Sequence, residues 1–195
     1  IYQISVILFS FYFLSCKTEP KKENIASEPE RSIPEKIAYA HGIEHWNSVN
    51  KIEFTFNVDR DTTHFQRTWM WDVRNNEVTR IMGADTTVYD RAVIDSITAK
   101  VDAGFINDKY WLLAPFNLKW DQNSYTYEHS TSQISPISKT PMQKLTIVYG
   151  NTGGYTPGDA YDFYFEDDYL LKEWVFRKGN QKDISLSTTW EDYET

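Results

Sequence analysis

His41-Gly-Ile-Glu-His45 is the stretch whose residue types and spacing best match a known chemistry. On a helix, residues four apart share a face, so two imidazoles of an H-x-x-E-H pattern can hold zinc while the intervening Glu activates water. Three features count against that chemistry here. The downstream position where a third, acidic ligand would be needed is Gln122, Gly42 loosens the helix, and 195 residues are few for such an enzyme. A zinc-dependent hydrolase is therefore carried only as a remote alternative. The expectation is a non-enzymatic protein with no catalytic residues, no metal and no cofactor, in which one imidazole packs and the other is exposed.

The remaining polar groups are weaker still. His64 and His129 have no Ser or Cys partner in a recognisable setting, and read as strand residues. Asp159, Asp162, Glu166, Asp167 and Asp168 lack the spacing that wraps calcium, and read as outward acids around a solvated turn. Gly153-Gly154 has strands on both sides, so it is not the strand-loop-helix cradle of a phosphate. Arg67 falls among Phe65, Trp69 and Trp71 on one strand face, placed either to stack on an indole or to meet an anionic group. The net charge is -8, with 28 acidic against 20 basic residues, which argues against nucleic acid as a partner.

The elements that must position these groups follow from periodicity. A helix is expected over Pro34 to Val49. From Lys51 the period becomes two, with Phe54, Phe56 and Val58 alternating with polar residues. Phe65 to Val73, a turn at Arg74-Asn75-Asn76-Glu77 and a return at Val78 to Met82 predict a β-hairpin, with Thr86 to Tyr89 a further strand. Asp95 to Trp120 is helical in spacing, with Asn107 or Asp108 expected to cap a second short helix that Pro115 closes. Strands near 124–129, 142–149, 160–166, 169–177 and 184–190 complete an α+β, mainly β class: a curved antiparallel sheet, an incomplete barrel, with a few helices covering its concave face.

Residues 1–16, IYQISVILFSFYFLSC, hold an apolar run of about 11 residues, within the 7–15 of a signal-peptide core and too short to span a bilayer. Phe13-Leu14-Ser15-Cys16 resembles a bacterial lipobox, and Cys16 is the only cysteine. That resemblance implies lipidation of Cys16 and durable anchoring, since more than one acyl chain is needed for stable attachment. Residues 17–35, rich in Pro, Lys, Glu and Ser, read as a disordered tether. Residues 36–195 read as a single domain. With no initiator Met or basic residue before the apolar run, and a strand pattern persisting through TTWEDYET, both termini read as trimmed.

Ala40 to Trp46 (AHGIEHW), Phe105 to Asp121 (FINDKYWLLAPFNLKWD) and the broad strands resemble a group of Gram-negative envelope lipoproteins similar in fold to the periplasmic lipoprotein-sorting carriers. The carrier resemblance implies an apolar cavity between sheet and helices. Its candidate lining on the sheet is Phe54, Phe56, Arg67, Trp69 and Trp71, with Tyr127, Phe163 and Phe165 further along. Trp111 and Leu112 are its candidates on the helices. The expected function is that of a lipid-anchored outer-membrane protein binding a lipid or other apolar ligand. The alternative is a structural or interaction protein without a pocket, its aromatics being core alone. The face of the membrane and the oligomeric state stay open.

Overall fold

The computed structural model describes residues 30–194. Cys16, the apolar run before it and the tether up to Pro29 lie outside the described residues. The folded unit opens at Arg31, ahead of the expected tether boundary at Glu35. The reason is a reciprocal cap on helix α1 (Ile33–Ala40). The Ser32 backbone N–H and hydroxyl both donate to Glu35 Oε2, at 3.1 and 2.9 Å. Pro34 suits the first turn because its missing N–H would have had no helical partner. The Ser32 N–H foremost, then the Ser32 hydroxyl and Lys119, hold the Glu35 carboxyl below the usual carboxylate range.

The expected long helix to Val49 does not form. Gly42 takes φ +84°, a left-handed conformation open to glycine, and the chain continues as a tight turn of 3₁₀ helix over Ile43–Ser48.

The strands follow as a four-stranded antiparallel meander, β1 (Lys51–Arg60), β2 (Thr63–Asp72), β3 (Glu77–Met82) and β4 (Asp85–Asp90), paired in chain order. The expected hairpin is present, with Trp71 opposite Val78 and Asn76 at φ +57° in its turn. A second antiparallel sheet contains β5 (Tyr125–Ile134), β6 (Pro141–Tyr149), β7 (Ala160–Phe165), β8 (Leu171–Arg177) and β9 (Leu186–Thr189), again in chain order. The protein is thus α+β and mainly β. Its strands divide into two hydrogen-bonded sheets, and neither closes into a barrel.

Between the sheets in sequence lie α2 (Thr98–Leu112) and α3 (Ala114–Trp120). Asp95 starts α2 by accepting the backbone N–H groups of Ile97 and Thr98, at 2.9 and 2.7 Å. No break occurs at Asn107-Asp108, because the Asp108 carboxylate is used across the fold and not as a cap. Pro115 sits in the first turn of α3 and opens that helix, where it was expected to close one.

Two cores result. In the first, Trp69, Trp71, Val78 and Tyr89 of the first sheet pack against Val101 and Phe105 of α2. In the second, Ile37 of α1 and Leu118 of α3 cover Leu145, Ile147, Phe163 and Trp174. Helix α2 serves both, since Tyr110 and Trp111 pack against the second core. Each fully buried aromatic or large aliphatic side chain contributes roughly 1.5–3 kcal/mol.

Central strand β7 is buried along its whole length. On the face away from the main core, Asp162 receives Arg177 Nε at 2.9 Å and the Thr146 hydroxyl at 2.6 Å. Asp162 is therefore a buried ion-pair member, which corrects its reading as an outward acid, whereas Glu166, Asp167 and Asp168 are exposed. Nearby, the buried Glu173 carboxylate accepts the N–H groups of Ile137 and Ser138, each at 2.8 Å, and pins the β5–β6 loop.

Candidate functional site

The H-x-x-E-H residues separate in space because Gly42 ends the helix between them. His45 is exposed. His41 is tucked against the second sheet, with Nδ1 donating to the Ile37 carbonyl at 2.8 Å. That bond sets the neutral tautomer, so Nε2 accepts from the Leu171 N–H at 3.4 Å, and the Tyr193 hydroxyl shares its one proton between Nε2 at 3.0 Å and the Leu171 carbonyl at 2.9 Å. Among the described residues no cluster of three His, Cys, Asp or Glu side chains could hold a metal ion.

Burial, foremost, lowers the His41 pKa below the ordinary imidazole value of 6.5. The unfolded chain then binds a proton more readily than the folded one, so this residue's contribution to stability is complete above 6.5. It is lost as pH falls from there through the depressed folded value, when an Nε2 proton would face the Leu171 N–H. Urea unfolding across mildly acidic pH should show this fall in the wild type and a flatter dependence in His41→Gln. Equal slopes in the two proteins would contradict it.

The ten side chains expected to line one cavity are placed in several environments. Trp69, Phe163 and Phe165 are completely buried and Trp71 nearly so. They belong to two cores, Trp69 and Trp71 to the first and Phe163 and Phe165 to the second, so they face no common space. Phe54 and Phe56 are half-buried. Arg67 meets an anion, as one of its two readings required, but that anion is internal: Nη2 donates to Asp108 Oδ1 at 2.7 Å. Its guanidinium also lies 4.9, 5.7 and 6.0 Å from the ring centroids of Phe65, Phe56 and Trp69, so the indole of its other reading is also within reach, at the outer limit of such contacts. Leu112 and Tyr127 are exposed, at 39% and 47%. Trp111 sets its ring edge-on to Trp174 at 4.6 Å between centroids.

Of these ten, Trp111 alone borders a largely apolar cleft beside α2, an opening of about 490 Å³. One wall is α2, presenting Ala99, Ala103, Ile106 and Trp111; the other is Tyr155 and Thr156 of the 150–159 loop, with Tyr161 of β7. Its size falls in the range of about 300–1,000 Å³ usual for small-ligand sites. A neighbouring cleft of about 250 Å³ shares Tyr110, Tyr155 and Thr156 with it and adds Tyr149 and Asp121. The two open beneath the same loop.

A hydrogen-bond chain runs through this second cleft. The Tyr149 hydroxyl donates to Asp121 Oδ2 at 2.9 Å, leaving its oxygen to accept from Tyr110, also at 2.9 Å. Burial pushes the phenols of Tyr110 and Tyr149 far up, and that of Tyr161 to about 12. All three stay neutral at physiological pH and serve as hydrogen-bond partners. At one end of the larger cleft Asp102 is held by Arg91 Nε at 2.6 Å and the Tyr89 hydroxyl at 3.0 Å.

Sequence reasoning missed Ala99, Ala103 and Ile106, and it treated residues 150–159 as a plain turn. The available signal was a pair of small residues four apart on a helix, opposite a Gly-rich loop that carries a Tyr. No model of a known protein family matches the chain, and no curated protein matches it either. Among the described residues no helix is long and apolar enough to cross a membrane.

Proposed function

We propose that this protein is a lipid-anchored cell-envelope protein that binds an apolar ligand in the cleft between α2 and the Tyr155 loop. The observation that carries the binding reading is the cleft itself, about 490 Å³ walled by Ala99, Ala103, Ile106, Trp111 and Tyr155. Ile94 borders the cleft, and its sequence neighbours Val93 and Ile97 are 77% and 73% exposed, forming an apolar approach to it. The anchoring reading rests on the apolar run and Cys16 in the sequence. The same exposed residues also suit the alternative of a pocketless interaction protein, and a cleft-filling variant separates the two.

Ala103 is exposed and lines the cleft, so Ala103→Phe fills the space without disturbing either core. Titration with the neutral fluorophore N-phenylnaphthylamine should saturate at one site on the wild type. Binding to Ala103→Phe should be weaker by about tenfold or more, with an unchanged unfolding midpoint. A wild type that does not saturate ends the ligand-binding reading in favour of the interaction protein. For the anchor, metabolic acyl labelling in a Gram-negative host should be abolished by Cys16→Ala.

A further inference from the structure

The charge around the two clefts is one-sided. Their walls include two carboxylates, Asp102 and Asp121, and no Lys, Arg or His. Asp102 is already neutralised by Arg91. Asp121 is not: its Oδ2 takes the Tyr149 hydroxyl, while Oδ1 receives no hydrogen bond from the described residues. The nearby cation, Lys109, feels the Asp121 and Asp102 carboxylates at a distance but forms no salt bridge with either among the described residues; it borders neither cleft and sits 5.5 Å from the Trp71 ring centroid. Asp121 shares the cleft with Tyr110, Tyr149 and Tyr155 and is touched by the Tyr149 hydroxyl. A carboxylate without a salt-bridge partner attracts an ammonium group through its charge, and the tyrosine hydroxyls can accept from the same ammonium. It repels a carboxylate or phosphate, for which these walls offer no countercharge.

The polar cleft also adjoins the apolar one through Tyr110, Tyr155 and Thr156, so one molecule can occupy both. We propose that the paired clefts take a cationic amphiphile, its alkyl body against Ile106 and Trp111 and its ammonium head against Asp121. This rests on the apolar-ligand reading above and adds the head-group class. Fatty-acid anions are selected against by the same walls.

The test compares decylamine, decanol and decanoate, each below its micellar concentration at neutral pH, by calorimetric titration of the wild type, Asp121→Asn and Glu128→Gln. Glu128 is exposed and lines neither cleft, so its variant controls for the net negative charge of the protein. Decylamine should bind the wild type about tenfold or more tightly than decanoate, as a half-buried charge contact implies. Asp121→Asn should collapse that preference while leaving decanol affinity in place, and Glu128→Gln should preserve it. Decanoate binding as well as decylamine, or a preference that survives Asp121→Asn, overturns the head-group assignment and leaves the apolar site standing. Binding of none of the three overturns both.

Discussion

Asp108→Ala is expected to destabilise the fold by about 3–5 kcal/mol, the range for breaking a buried charge pair from one side. Asp108 has no exposed surface, and its two oxygens are divided between partners on β2. Oδ1 accepts from Arg67 Nη2 at 2.7 Å and Oδ2 from Trp69 Nε1 at 2.8 Å, with the Asn107 side-chain amide adding a bond of 3.0 Å. Alanine would leave a guanidinium and a buried indole N–H without acceptors, and both are costly in a medium that cannot solvate them. Because α2 packs on the first sheet around this carboxylate, the loss should also loosen the helix. Asp108→Asn keeps the shape and one acceptor, so its cost should be smaller. Removing both charges in Arg67→Met with Asp108→Leu should be milder than the sum of the single changes. Urea unfolding of the wild type, Asp108→Ala, Asp108→Asn, Arg67→Met, Asp108→Leu and the double variant gives the comparison. A cost for Asp108→Ala under about 1 kcal/mol would show that water reaches the pair.

The second large effect distinguishes core from cover. Trp69→Ala should cost about 3–5 kcal/mol, as truncation of a fully buried aromatic does. Trp69 has no exposed surface, packs edge-on against Phe105 at 5.5 Å and donates to Asp108. Leu112→Ala, on the cover at 39% exposure, should change stability by less than about 1 kcal/mol. Comparable losses at both positions would mean that α2 is buried on a face the structure leaves open. Neither change touches the walls of the apolar cleft. Trp69→Ala at a temperature where it stays folded should therefore still bind N-phenylnaphthylamine, and loss of binding in the folded variant would place the ligand in the first core.

Local pattern decided much of the architecture. The alternation of Phe54, Phe56 and Val58 places β1, and Arg74 to Glu77 supplies a turn that tolerates positive φ and suits a hairpin. Gly42 likewise carried its own warning, since a glycine there allows the left-handed backbone that ends α1. Such features depend on neighbours in the chain, and a short window of sequence contains all the relevant physics.

The roles that depend on distant partners were not legible in this way. Asn107-Asp108 has the composition of a helix cap, and only the arrival of Arg67 and Trp69, about 40 residues earlier in the chain, converts Asp108 into a buried anchor within a continuous helix. Asp162 reads as a surface acid until Arg177 and Thr146 close on it. Tyr127 shares the face of Tyr125 and His129 on edge strand β5, where alternation correctly assigns the face but does not say whether anything covers it. The clefts are the strongest case. Ala99, Ala103 and Ile106 have no chemistry of their own, and the 150–159 loop is a string of small and polar residues. Their juxtaposition, with Asp121 and three tyrosines beside them, exists only because α2 is packed between two sheets and leaves part of its surface facing that loop.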